Sequence, residues 1–100
     1  MKPLQLDAIY NEIEAALPEL RKQYHIKSIG LFGSFVKNKQ KQDSDLDILI
    51  SFTEIPGLFT FIELENKLSD LVGIKVDLVM EDALKPKIAE RILNEVIRLS

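Results

Sequence analysis

The sequence predicts an α/β (α+β) fold: a small mixed β-sheet of three or more strands with helices packed on one face. Two patterns and the length carry that expectation. Three short apolar runs, 26–32, 46–52 and 74–80, are interrupted or bounded by glycine and polar residues, as strands are. Three longer stretches, 4–24, 58–72 and 85–99, repeat apolar residues at spacings of three and four, the pattern of a helix with one buried stripe. One hundred residues make one domain, 1–100, with enough apolar side chains to build a core.

Composition excludes several classes of function. The 46% hydrophobic and 29% charged fractions are those of an ordinary folded protein rather than a disordered or fibrous one. Net charge is −3, so no global basic field exists to hold DNA or RNA. There is no cysteine, which rules out disulfides and zinc-thiolate sites and fits a cytoplasmic protein. No apolar run reaches membrane length, and the N-terminal residues do not read as a signal peptide.

The elements follow in order. In 4–24, Leu6, Ile9, Ile13, Leu17 and Leu20 form one stripe, with Pro18 inside it as a point where the helix kinks or restarts. Tyr10 and Tyr24 read as packing residues. His25, the only histidine, sits at the helix-to-strand junction and is given no chemical role. In the strand Ile26–Phe32, Gly30 has no side chain to pack and marks a bulge or a close approach by another backbone or a ligand. Residues 34–38 are expected to form a short helix. From Leu46 to Phe52, Leu46, Ile48, Ile50 and Phe52 share one face, and Asp45, Asp47, Leu49 and Ser51 the other. Pro56-Gly57 marks a loop. In 58–72, Phe61, Leu64, Leu68 and Leu71 form the stripe, Gly73 suits the C-cap, and Phe59 falls off the stripe toward solvent. In Ile74–Met80, Asp77 faces away from Ile74, Val76, Leu78 and Met80. Pro86 suits the first turn of a last helix whose stripe is Ile88, Ile92, Val96 and Leu99, widened by Ala89 and Leu93.

The chemistry concentrates in residues 29–50. Asp45 and Asp47 alternate in a strand and so point the same way, about 6–7 Å apart. Two carboxylates on one face repel unless water or a cation lies between them, and hard divalent cations such as Mg²⁺ prefer such oxygen ligands. Asp77 interrupts a later strand, where a charge is costly unless it is paired, solvated or metal-bound. Gly33-Ser34 ends the first strand. Free N–H groups at such a turn cradle phosphates, glycine allows close backbone approach, and the Ser34 hydroxyl adds a donor. Lys37, Lys39 and Lys41 alternate with Asn38, Gln40 and Gln42 and admit two readings: a solvated loop, as charged loops usually are, or ammonium groups that screen a polyphosphate. Asp43 lies near the acids without a ligand role.

Gly33-Ser34, ten further residues, Asp45-Leu46-Asp47 and then Asp77 on a later strand resemble the nucleotidyltransferase superfamily of DNA polymerase β. Within it the chain is most similar to the minimal nucleotidyltransferases that are paired with HEPN-domain proteins in toxin–antitoxin modules. The resemblance runs from about Ile26 to the C-terminus. It implies a palm-like core on which Asp45, Asp47 and Asp77 converge, a point that periodicity leaves open. It implies Mg²⁺ at those three acids, two ions about 3.5–4 Å apart, with Asp77 also helping to deprotonate the acceptor. Gly33, Ser34 and Lys37 are then the nucleotide-binding residues, ATP the donor, and a tyrosine of a HEPN toxin the acceptor, so that the chain is an antitoxin. One departure stands out: relatives often carry Ala-Arg-Gly where this chain has Val36-Lys37-Asn38, which keeps a positive charge but loses the guanidinium fork.

Two other classes remain at this point. One is a non-catalytic antitoxin that acts by contact alone, against which the intact acids argue. The other is a transferase acting on a small molecule, for which one hundred residues leave little wall to build an acceptor pocket. A homo-oligomer is an open expectation, and a nucleic-acid acceptor is not favoured by the charge.

Overall fold

The computed structural model describes residues 5–37 and 44–99. Helix α1 spans Gln5–Tyr24, strand β1 Ile26–Phe32, β2 Leu46–Phe52, helix α2 Leu58–Val72, β3 Val76–Met80, helix α3 Pro86–Glu95 and β4 Ile97–Arg98, with a 3-10 turn at Glu81–Ala83. The sheet order is β3-β2-β1-β4. β1 pairs antiparallel with β2 and with β4, and β2 pairs parallel with β3. The sheet is therefore mixed, and α2 is the crossover that a parallel pair requires.

Helices α1 and α2 cover one face. Ile9, Ile13, Leu17, Leu20 and Tyr24 of α1 and Leu64 and Leu68 of α2 are buried against Ile29, Leu31, Leu46, Ile48, Ile50, Phe52, Val76 and Leu78. A bulge between Ile26 and Ser28 lets both Ile26 and Ile29 turn to this core, against strict alternation. The expected kink at Pro18 is not a break: α1 runs unbroken through it, with Pro18 exposed and five buried side chains holding the helix on the sheet. Tyr24 donates its hydroxyl to Glu63 Oε2 at 2.6 Å, which joins α1 to α2. Burial and that acceptor push its phenol up to about 12, so it stays neutral as a packing residue should. His25 is exposed and ends α1 at φ 57, where its carbonyl takes the N–H of Thr53 at 2.8 Å. Gly73 caps α2 at φ 75, donating to Ser69 O.

The C-terminal region differs from the expectation. The helix ends at Glu95, not at residue 99, and the chain turns into β4 on the free edge of β1. Ile88 is exposed, Ile92 is buried, and Leu99 enters the core from the strand side, donating its N–H to Ile29 O at 3.0 Å. Gly30 is the reason. A Cβ there would stand 2.6 Å from Val96 Cγ2 and 3.0 Å from Ile97 O, so the missing side chain is the space in which this backbone lies. Between the two sequence readings of Gly30, the close approach holds, and the bulge lies upstream.

Helix α3 also qualifies the expected single-sided cover. Ile92 packs on Phe32 and Leu49, with Val79, Leu84 and Val96 around it, so this helix lies on the face that carries Asp47. The short helix expected at 34–38 is a single turn over residues 34–37, closed by Lys37 N–H to Gly33 O at 3.1 Å. Leu4, Asn38, Lys39, Lys41 and Asp43 lie outside the described residues. No helix among the described residues is long and apolar enough to cross a membrane.

Candidate active site

Asp47 and Asp77 meet because β2 and β3 run parallel in register. Asp47 is opposite Asp77, one residue in from the start of each strand, and Leu46 N–H donates to Lys75 O at 2.8 Å to fix that register. On its other side Asp47 is opposite Phe32, the last residue of β1. Gly33 follows immediately, at φ 83, in the left-handed region that favours glycine. A Cβ on residue 33 would overlap Asp47 Oδ2 and stand 2.9 Å from Cγ. Gly33 therefore gives room to the carboxylate as well as freedom to the backbone.

The electrostatics follow from that crowding. Asp47 is partly buried, and its carboxyl is raised from the usual 3.8 to about 6, first by burial, then by the charges of Asp77 and Asp45 and by a hydrogen bond shared with Asp77. Asp77 and Asp45 thus both act on Asp47. Ser34 opens the turn, half-buried, and the buried Phe35 anchors it to the core. Lys37 ends the turn, but its Nζ lies 3.2 Å from Glu95 Oε2 at the end of α3. Sequence reasoning missed Glu95, which looks like any acid on the solvated side of a helix. The β-branched pair Val96-Ile97 was the available signal that a strand begins just after it.

Among the described residues, no three His, Cys, Asp or Glu side chains stand together closely enough to hold a metal ion as placed. The donor chemistry nonetheless fits a hard divalent cation. The acids offer only oxygen ligands, and a cation would favour the charged form of Asp47, which burial and then the charges of Asp77 and Asp45 disfavour. A separate groove of about 550 Å³ lies along α2, lined by Tyr24, Phe59, Ile62, Glu63, Asn66, Lys67 and Asp70, and contains none of the three strand acids.

The sequence pattern of the polymerase β nucleotidyltransferase family matches residues 14–100. The chain belongs to that family. It is a nucleotidyltransferase of the minimal kind. It is 47% identical over 97 residues to the protein adenylyltransferase MntA of Thermococcus cleftensis, covering 97% of this chain and 98% of that one. A solved structure of a proposed minimal nucleotidyltransferase superposes with a TM-score of 0.72 at 33% identity, over 84% of this chain and 86% of that one. The fold is shared, at 20% identity and a TM-score of 0.66, with a chain in the structure of a tri-AMPylated Shewanella oneidensis HEPN toxin in complex with its MNT antitoxin. That match covers 91% of this chain and 71% of the other.

Proposed function

We propose that this nucleotidyltransferase moves AMP from ATP to a hydroxyl, a tyrosine, of a HEPN-domain toxin and is thereby the antitoxin of the pair. The observation that carries the reading is the in-register Asp47–Asp77 pair set against the Gly33 turn, with Asp45 acting on Asp47 through its charge. Support for the acceptor comes from the name of the Thermococcus relative, a protein adenylyltransferase, and for the partner from the HEPN toxin complex that shares the fold.

Asp45, Asp47 and Asp77 would hold Mg²⁺, which supplies charge stabilisation to the triphosphate and acidifies the acceptor hydroxyl. Gly33 N–H and Ser34 Oγ donate to the terminal phosphates and hold the pyrophosphate as it departs. Asp77, the exposed member of the pair, takes the proton of the acceptor. The acceptor oxygen forms a bond to the α-phosphorus, and the bond from that phosphorus to the bridging oxygen of pyrophosphate breaks. The exposed apolar residues Ile55, Leu58, Phe59 and Ile62 offer a protein partner a surface on α2 and the loop before it.

Incubation with labelled ATP, Mg²⁺ and the product of the neighbouring gene tests the whole reading. The partner band takes the label with the wild-type chain and not with Asp47→Asn. Binding without label favours an antitoxin acting by contact alone. Label on a small hydroxyl compound with an untouched partner favours the small-molecule transferase.

A further inference from the structure

The Lys37–Glu95 ion pair joins the turn that faces the nucleotide to the far end of the chain. Lys37 closes the 34–37 turn through its backbone, so its side chain starts from a fixed point beside Gly33 and Ser34. Its ammonium rides on a flexible stem and, left alone, would sample many positions around the turn. Glu95 offers it an anchor at 3.2 Å.

Glu95 is the better-held partner. Its side chain is 25% exposed against 45% for Lys37. Ile92, one turn earlier, is buried on Phe32 and Leu49, and Val96 packs against Gly30 and donates its N–H to Ile92 O at 2.9 Å. The strand that follows pairs with Gly30 and Leu31, just before the Gly33 turn. An acid as the last residue of a helix opposes the helix dipole, and α3 has no basic residue in its last turn. Helix stability therefore does not account for a carboxylate at this position, whereas the ammonium of Lys37 does.

We infer that Glu95 is a positioning residue: it holds the Lys37 ammonium at the Gly33–Ser34 turn, where it meets the polyphosphate of an incoming nucleoside triphosphate. This rests on the nucleotide-binding part of the function proposed above. Its sequel is that α3 and β4, which carry no residue of the motif, set nucleotide affinity.

The test is calorimetric binding of ATP with Mg²⁺ to the full chain, which needs no acceptor. Lys37→Ala is expected to weaken binding about three- to tenfold, on the scale of one charge-assisted contact. Glu95→Gln should weaken it by a similar factor, Glu95→Asp should restore part of the loss, and the double variant should be no worse than Lys37→Ala alone. Melting temperatures of all four variants identify any loss that comes from unfolding. If the wild type binds no ATP, the parent reading fails and the inference with it. If Lys37→Ala weakens binding while Glu95→Gln does not, or if the two losses multiply, the role of Glu95 is wrong and the parent reading stands. Tighter binding by Glu95→Gln would make Glu95 a competitor of the phosphates and also overturn it.

Discussion

The backbone of Gly33 lies so close to the carboxylate of Asp47 that residue 33 has no room for a Cβ. The end of β1 and the second residue of β2 are thereby locked into one unit, with the Gly33 turn set directly against the acid. Gly33→Ala is expected to fail in two ways. Its φ of 83 costs an L-residue about 1–2 kcal/mol, and its methyl pushes Asp47 off Asp77. The variant should melt lower than wild type and lose Mg²⁺-dependent ATP binding, measured by thermal shift and calorimetry. Retained binding at wild-type affinity would show that the cradle does not depend on this contact.

Asp47 gives the second prediction. Its carboxyl is pushed from 3.8 to about 6, so the folded state binds this proton more tightly than the unfolded chain. Its contribution to metal-free stability is therefore full below about pH 4 and is lost as pH rises through about 6. Asp47→Asn removes that loss. Without metal the variant should melt above the wild type at about pH 8, and the gap should close toward pH 4. Mg²⁺ with ATP should stabilise the wild type by mass action and leave the variant unchanged. Nucleotidyl transfer should be abolished in the variant, and wild-type transfer rates would remove Asp47 from the site.

Much of this was legible in the sequence, for physical reasons that differ by residue. Alternation placed Asp47 on the face away from Leu46, Ile48 and Ile50, because a strand repeats every two residues, whereas Asp45 precedes the strand. The stripe Leu64–Leu68 and the cap at Gly73 came from helical period and left-handed geometry, and both hold. Meeting of Asp47 with Asp77 depends on strand register, which spacing along one chain does not encode. The end of α3 was misread because Val96 and Leu99 also fit a helical stripe. What decided it was the empty space over Gly30, a tertiary fact that only a neighbouring backbone reveals. Lys37 was expected to face phosphate, and its partner Glu95 lies 58 residues away in sequence, beyond any local pattern.

Ser34 should rank below the acids. A hydroxyl that donates to phosphate contributes about 1–3 kcal/mol, whereas losing a carboxylate removes the cation and the charge stabilisation it brings. Ser34→Ala should therefore transfer nucleotide at a measurable, reduced rate under conditions where Asp47→Asn gives none. Phe35 beside it is buried, so the turn itself should survive the change, with melting temperature and Gly33→Ala-type losses absent. Indistinguishable rates for Ser34→Ala and wild type would remove Ser34 from the phosphate cradle.

The last prediction concerns the surface proposed to meet the partner. Phe59 is 87% exposed, and Leu58 and Ile55 beside it are 70% and 65% exposed. Ile62 lies on the same side, three and four residues along the helix, so these side chains form one apolar face rather than scattered points. Their inward neighbours are Phe61, which meets Phe52 edge-on at 6.3 Å, and Leu64, which is buried, so the helix is already anchored without Phe59. β2 leads away from Asp47 to reach this end of α2, which separates the apolar face from the acids along the strand. Phe59→Ser should consequently leave melting temperature and ATP binding unchanged. It should weaken association with the HEPN partner about tenfold or more, the loss usual for an aromatic at the centre of an interface, and slow labelling of that partner in proportion. Undiminished binding of the partner by Phe59→Ser would place the interface elsewhere.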